Sequence, residues 1–122
     1  MKKKLTLGLL VLVVVLSVYF GLKLNSQKKA LVFELDFGNG DKKIFYNYTA
    51  EQKKAWSLLQ QVAAISKMDL KADENFVPQK IDGFLNGDEN KKWNLYVNGV
   101  KEVNSPMNVT VKVPDIITFR FE

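Results

Sequence analysis

Alternating apolar and polar residues recur in three stretches of this chain and restrict its fold more than any other pattern. The apolar members are Leu31, Phe33, Leu35 and Phe37, then Trp93, Leu95 and Val97, and finally Ile117, Phe119 and Phe121. Successive side chains of a β-strand point to opposite faces, so a period of two predicts strands with one buried face. Three half-buried strands therefore frame the folded region.

Turn residues indicate how these strands connect. The sequence from Gly38 to Asp41 accepts positive φ, and Ile44, Tyr46 and Tyr48 resume the alternation beyond it, which predicts a first hairpin. Asn98-Gly99 is a strong two-residue hairpin signal, and Pro114-Asp115 indicates a tight turn before the last strand. Val109, Val111 and Val113 alternate with polar residues and predict a further strand.

One amphipathic helix is predicted between the first hairpin and the later strands. Thr49 and Gln52 have the spacing of a capping box. Apolar residues then follow at helical spacing: Ala55, Trp56, Leu59, Val62, Ala63 and Ile65. Residues 68–92 suggest one or two short strands, and the loop from Asn86 to Asn90 is typical of a solvated turn. The order of elements predicts an α+β fold, a β-grasp-like mixed sheet crossed by one helix.

The N-terminus has the pattern of a membrane anchor. Three lysines precede an apolar run of 18 residues from Leu5 to Leu22. A helix of that length spans roughly 27 Å, close to the thickness of the bilayer hydrocarbon. We therefore predict a transmembrane helix in residues 1–22, a linker in 23–29 and a domain in 30–122. The alternative is a cleaved signal peptide, for which small residues at the cleavage site are lacking.

Charge and composition exclude several classes of function. The net charge is +5, but residues 30–122 hold twelve basic and thirteen acidic side chains, so the basic charge belongs to the N-terminal flank. With a single arginine in the chain, we expect no nucleic-acid binding. The sequence contains no cysteine and no histidine, which removes thiolate nucleophiles, imidazole bases and the usual zinc ligands. We expect neither an enzyme nor a metal site.

The segment WNLYVNG supplies the candidate contacts with a ligand or partner: Trp93, Tyr96 and Asn98. The alternation directs Trp93 towards the core, and Asn98 occupies a turn that needs positive φ. Tyr96 points the other way and is the aromatic residue left for contact.

Four segments resemble the transcobalamin-like C-terminal domain, a β-grasp family of largely unknown function. They are TAEQKKAWSLLQQVA, IDGF, KKWNLYVNG and PDIITFRFE, within residues 30–122. Relatives carry Gly-Asp before the final strand, so Asp115 matches and Pro114 does not. In vertebrate relatives this domain and a helical barrel clasp cobalamin between them, and 122 residues leave no room for the barrel.

The resemblance implies a bacterial single-domain module at the cell surface. We predict a non-catalytic, membrane-anchored extracytoplasmic module that binds an envelope protein or a small ligand, with the N-terminus in the cytoplasm and the domain outside. The alternative is a cobalamin-type binding protein, acting alone or with a partner lobe; otherwise no cofactor is expected. If the N-terminal segment is cleaved, the protein is secreted.

Overall fold

Short strands dominate the computed structural model, which describes residues 29–49 and 51–122. In chain order the strands are β1 (Leu31–Asp36), β2 (Lys42–Asn47), β3 (Lys53–Lys54), β4 (Leu70–Ala72), β5 (Pro78–Ile81), β6 (Phe84–Leu85), β7 (Trp93–Val97), β8 (Val100–Lys101), β9 (Thr110–Val111) and β10 (Ile116–Phe121). One α-helix, α1 (Ala55–Ile65), lies in this part of the chain, with short 3-10 turns at Asp88–Asn90 and Pro106–Asn108.

The main sheet has five strands in the order β2-β1-β10-β7-β8. β1 and β10 are parallel, and the other neighbours are antiparallel. Two smaller sheets, β4-β5-β6 and β3-β9, complete the structure. The prediction of an α+β fold with a mixed multi-stranded sheet and one helix is confirmed.

The core lies between α1 and one face of the main sheet, which we call the inner face. The alternation predicted its strand residues correctly, since Leu35, Ile117 and Phe119 are among the most deeply buried side chains. From the helix, Trp56, Leu59 and Val62 are buried as predicted, together with Leu58. Ile65 is exposed, so the last residue assigned to the apolar stripe was wrong.

The side chains of β2 that face the core are not the ones that its alternating pattern predicted. Phe45 lies opposite Phe33 and packs against the core, whereas Tyr46 and Tyr48 are each 61% exposed and Ile44 is also exposed. The length of the loop determines which side chains of β2 face inward. Phe37 pairs with Asp41 across a loop of three residues, so odd-numbered residues of β2 lie opposite odd-numbered residues of β1.

The helix begins six residues after the predicted cap. The capping box at Thr49 and Gln52 is wrong: Lys54 precedes the first turn, and no described side chain caps it. Thr49 instead donates its hydroxyl to Asn47 Oδ1 at 2.7 Å. Lys53 and Lys54 pair with β9, and Ala55 N–H donates to Val109 O at 2.9 Å. A long-range strand pair therefore determines the helix start.

Residues 68–92, whose sequence gave the weakest indication of secondary structure, contain the three-stranded sheet β4-β5-β6. Its strands have two to four residues, too few for an alternation to show. The strand predicted at Val109–Val113 is only the two residues of β9, which pair with β3 and not with the main sheet. Asn86–Asn90 is an exposed turn apart from the half-buried Asn86, in line with its interpretation as a loop.

The predicted anchor and most of the linker, residues 1–28, lie outside the described residues. Within residues 29–49 and 51–122 no helix has the length and apolar character needed to cross a bilayer.

Candidate functional site

Trp93, the first of the predicted contact residues, belongs to the core. Its side chain is 4% exposed and packs edge-on against Phe37 with ring centroids 5.8 Å apart. The indole Nε1–H donates to Phe84 O at 2.8 Å, and the backbone N–H donates to Asn86 Oδ1 at 2.8 Å. Both polar groups are satisfied within the protein, so Trp93 joins β7 to the β5-β6 region.

Tyr96 lies on the opposite, outer face of the sheet. Its hydroxyl donates to Glu122 Oε1, and the guanidinium carbon of Arg120 is 4.6 Å from the centre of its ring. Arg120 Nε donates to Asp36 Oδ2 at 3.2 Å. These contacts connect three neighbouring strands through one cation–π interaction and two hydrogen bonds to carboxylates.

The outer-face network continues to the edge of the sheet through Lys42. Its Nζ lies 3.3 Å from Glu34 Oε1 and 4.0 Å from Asp36 Oδ2.

The hydrogen bond to Glu122 raises the pKa of Tyr96, as do partial burial and the charge of that carboxylate, while Arg120 acts in the opposite direction. The network therefore favours a protonated phenol on this face.

Asn98 occupies the turn between β7 and β8 with φ of 50°, and both ends of its amide are used. Nδ2 donates to Asp115 Oδ1 at 3.0 Å, and Oδ1 accepts the N–H of Ile116 at 2.9 Å. Asp115 also accepts the N–H of Lys112 at 3.0 Å. Asn98 thus ties the predicted hairpin turn to the turn before β10, and the three predicted contacts do not converge on one site.

An apolar groove lies elsewhere, between β2 and α1, with a volume of about 410 Å³. Tyr46, Tyr48 and Ile65 stand exposed along it, and Leu58, Val62 and Phe45 form its floor. Sequence reasoning identified these strand and helix residues but did not bring them together. The length of the first hairpin loop was the available signal, because it determines which side of β2 faces outward.

The backbone of β2 is open along this groove. Val32 N–H donates to Asp115 O, so even-numbered residues of β1 bond towards β10 and odd-numbered ones towards β2. The N–H and C=O groups of Lys42, Ile44 and Tyr46 therefore point away from β1. Among the described residues no strand lies beyond β2, so these groups form a free edge.

A second concavity of about 330 Å³ lies beside the β7-β8 hairpin. Val103, Pro106 and Gln79 line it, and Trp93 contributes part of the floor. In the part of the chain that the structure describes, no three acidic side chains come together as metal ligands.

Comparison with known proteins shows the fold alone. No family model matches the chain, and no curated protein matches its sequence. Among solved structures, it is similar to a crystal structure described as a "putative metal binding protein" from Ruminococcus gnavus. The match has a TM-score of 0.56 at 15% identity and covers 77% of this chain and 96% of the other.

Proposed function

We propose that this chain is a non-catalytic, membrane-anchored extracytoplasmic binding module that meets a protein partner along β2. The observation that carries the proposal is the free edge of β2 beside the apolar groove. A free strand edge offers backbone hydrogen bonds to an incoming strand, and a groove next to it can receive that strand's side chains. Exposed tyrosines supply large contact areas at small loss of side-chain entropy.

The topology supports the finer assignment to a β-grasp of the transcobalamin-like type. A β1-β2 hairpin, a helix packed on the inner face, and a C-terminal strand parallel to β1 are its expected elements. Asp115, the residue shared with the family before the last strand, organises the turn by accepting from Asn98 and from Lys112. It has a structural role in this fold.

The membrane part of the proposal rests on the sequence of residues 1–22, with the lysines on the cytoplasmic side. The lack of cysteine in the chain makes this topology directly testable. A single Val103→Cys substitution gives one exposed thiol, and a membrane-impermeant maleimide should label it in intact cells. Labelling only after lysis would place the domain in the cytoplasm, and release of the protein into the medium would indicate cleavage.

The binding surface is tested by site-specific photo-crosslinking in cells. A benzoylphenylalanine at position 44, whose side chain is 50% exposed beside the groove, should give a discrete crosslinked band. The matched control is position 103, which is exposed away from β2. A band of equal strength at both positions, or at neither, contradicts the proposed surface.

The cobalamin-type alternative, in which the protein acts alone or with a partner lobe, would use the concavity beside Trp93, whose volume is in the range of small-ligand sites. Titration of cobalamin with the purified protein distinguishes the two functions. A shift of the visible corrin absorbance favours the alternative, and an unchanged spectrum at high protein concentration favours the protein-binding module.

A further inference from the structure

The two ends of the main sheet differ in what they expose. We call the end where β1 begins the basal end. It includes Tyr48 after β2, the Asn98-Gly99 turn with Val100, and Ile116 at the start of β10. The opposite, distal end holds the Gly38–Asp41 loop, the Asp88–Asn90 turn and the C-terminal Glu122.

Three of the nine large apolar residues that are exposed in the described part of the chain lie at the basal end. Tyr48, Val100 and Ile116 are all exposed although they lie in or beside strands of the main sheet. Tyrosine prefers the boundary between water and lipid, because its ring is apolar and its hydroxyl remains hydrated. Aliphatic side chains beside it add area that can be buried at headgroup depth.

The two ends also differ in charge, and the basal end is the more basic. Segments at the basal end hold five basic residues, Lys29, Lys53, Lys54, Lys101 and Lys112, against the acidic Glu51 and Asp115. Distal segments hold the acidic residues Asp36, Asp41, Asp82, Asp88, Glu89 and Glu122 against Lys42, Lys43, Lys91, Lys92 and Arg120. An anionic surface therefore attracts the basal end more strongly than the distal one.

The length of chain outside the structure brings the basal end to a membrane. The predicted span ends at Leu22 and β1 begins at Leu31, with the linker 23–29 and Ala30 between them. The nine extended steps from Leu22 to Leu31 reach at most about 32 Å, no more than about the diameter of a domain of this size. The strand held by this short tether starts at the basal end.

From these three observations we infer that the basal end rests on the anionic lipid headgroups of the membrane that anchors the chain. Tyr48, Val100 and Ile116 reach headgroup depth there, and the surrounding lysines contact lipid phosphates. This inference rests on the proposed membrane anchoring. It orients the main sheet along the membrane normal, so that the groove between β2 and α1 faces sideways and, apart from its basal end at Tyr48, stays open to a partner.

Two valines provide a matched pair for the test. Val100 at the basal end is 70% exposed, and Val103, three residues later and beside the second concavity, is 92% exposed. Each is replaced by cysteine in the full chain, labelled with the fluorophore NBD and reconstituted in vesicles of phosphatidylcholine and phosphatidylglycerol. Nitroxide-labelled headgroups should quench the label at position 100 at least about threefold more than that at 103.

Vesicles of phosphatidylcholine alone, and high salt, should both weaken the difference, because the lysine contribution depends on anionic lipid and is screened. Flotation of the vesicles separates the two possible failures. A chain that does not float with vesicles overturns the anchor itself. A chain that floats but shows equal quenching at both positions retains its anchor and overturns the docking of the basal end.

Discussion

The inner and outer faces of the main sheet are built from the same strands but are held by different interactions. On β10, Ile117 and Phe119 are buried among aromatic and aliphatic side chains, whereas Arg120 joins the hydrogen-bonded network that includes Tyr96 and Asp36. Hydrophobic burial is worth several kcal/mol per large side chain, but exposed ion pairs contribute about 1 kcal/mol or less. The inner face therefore determines stability, and the outer face is available for other roles.

The largest effect should come from the inner face at Phe119. Replacing Phe119, which is almost fully buried, with alanine leaves a cavity on the inner face, where its ring packs against Phe33 of β1. We expect a loss of about 3–5 kcal/mol in the free energy of unfolding, measured by denaturant titration. Ile116→Ala on the same strand is the control and should lower stability by less than about 1 kcal/mol. Similar losses in both variants would contradict the difference between the faces.

The second-largest loss of stability should come from a substitution at Gly38, where the backbone of the β1-β2 loop contacts the end of β10. Gly38 has φ of 72°, and an added Cβ would collide with the carbonyl oxygen of Phe121. Gly38→Ala should therefore destabilise by about 2–4 kcal/mol, since it adds a steric conflict to backbone strain. Gly40 has φ of 94° with open space around it, so Gly40→Ala should show the strain alone, about 1–2 kcal/mol. Equal thermal unfolding midpoints for these two variants would contradict the close approach of Gly38 to Phe121.

These residues also show what could be predicted from sequence. The period of two identified β1, β7 and β10 because each has five or six residues with one buried face. It could not find β4, β5 and β6, which are short. In β2 it selected Ile44, Tyr46 and Tyr48, which are exposed, and missed Phe45, which packs against the core. The capping signal at Thr49 lost to the pairing of Lys53-Lys54 with β9, a contact between residues far apart in sequence. Local patterns predict elements reliably only where no distant strand competes.

The same limit applies to the candidate contacts. Alternation alone predicted that Trp93 and Tyr96 lie on opposite faces of β7. The partners of Tyr96, Arg120 and Glu122, come from the C-terminus, and their meeting depends on the register of β7 with β10. The length of the first hairpin loop could have shown which side of β2 faces outward, but the packing of α1 against that edge strand, which completes the groove, has no local signal in the sequence.

A smaller effect is expected on the outer face at Asp36. Asp36→Asn removes the charge that faces Arg120 and Lys42 but keeps an acceptor for the N–H of Gly38. Stability should fall by about 0.5–1 kcal/mol at low salt, and the loss should shrink as salt screens the ion pairs. A larger, salt-independent loss would show that this network is as important to folding as the core.

The smallest effect should be that of Tyr96→Phe, and it should depend on pH. The pKa of Tyr96 is raised in the folded protein, so its bond to Glu122 stabilises fully below the ordinary tyrosine pKa of about 10. That contribution is lost as pH rises through the raised value. The difference in unfolding free energy between wild type and Tyr96→Phe should therefore narrow at alkaline pH. A difference that is constant with pH would contradict the hydroxyl bond as its source.

The parallel pairing of β1 with β10 also determines when the domain can fold. Asp36 and Arg120 bond across 84 residues of sequence, and the strands that carry them lie side by side in the sheet. While the chain is being made, β1 can form its hairpin with β2, but its other side stays open until β10 has been synthesised. The core therefore closes only after nearly all of the domain has been made, and its folding depends on contacts between residues far apart in sequence.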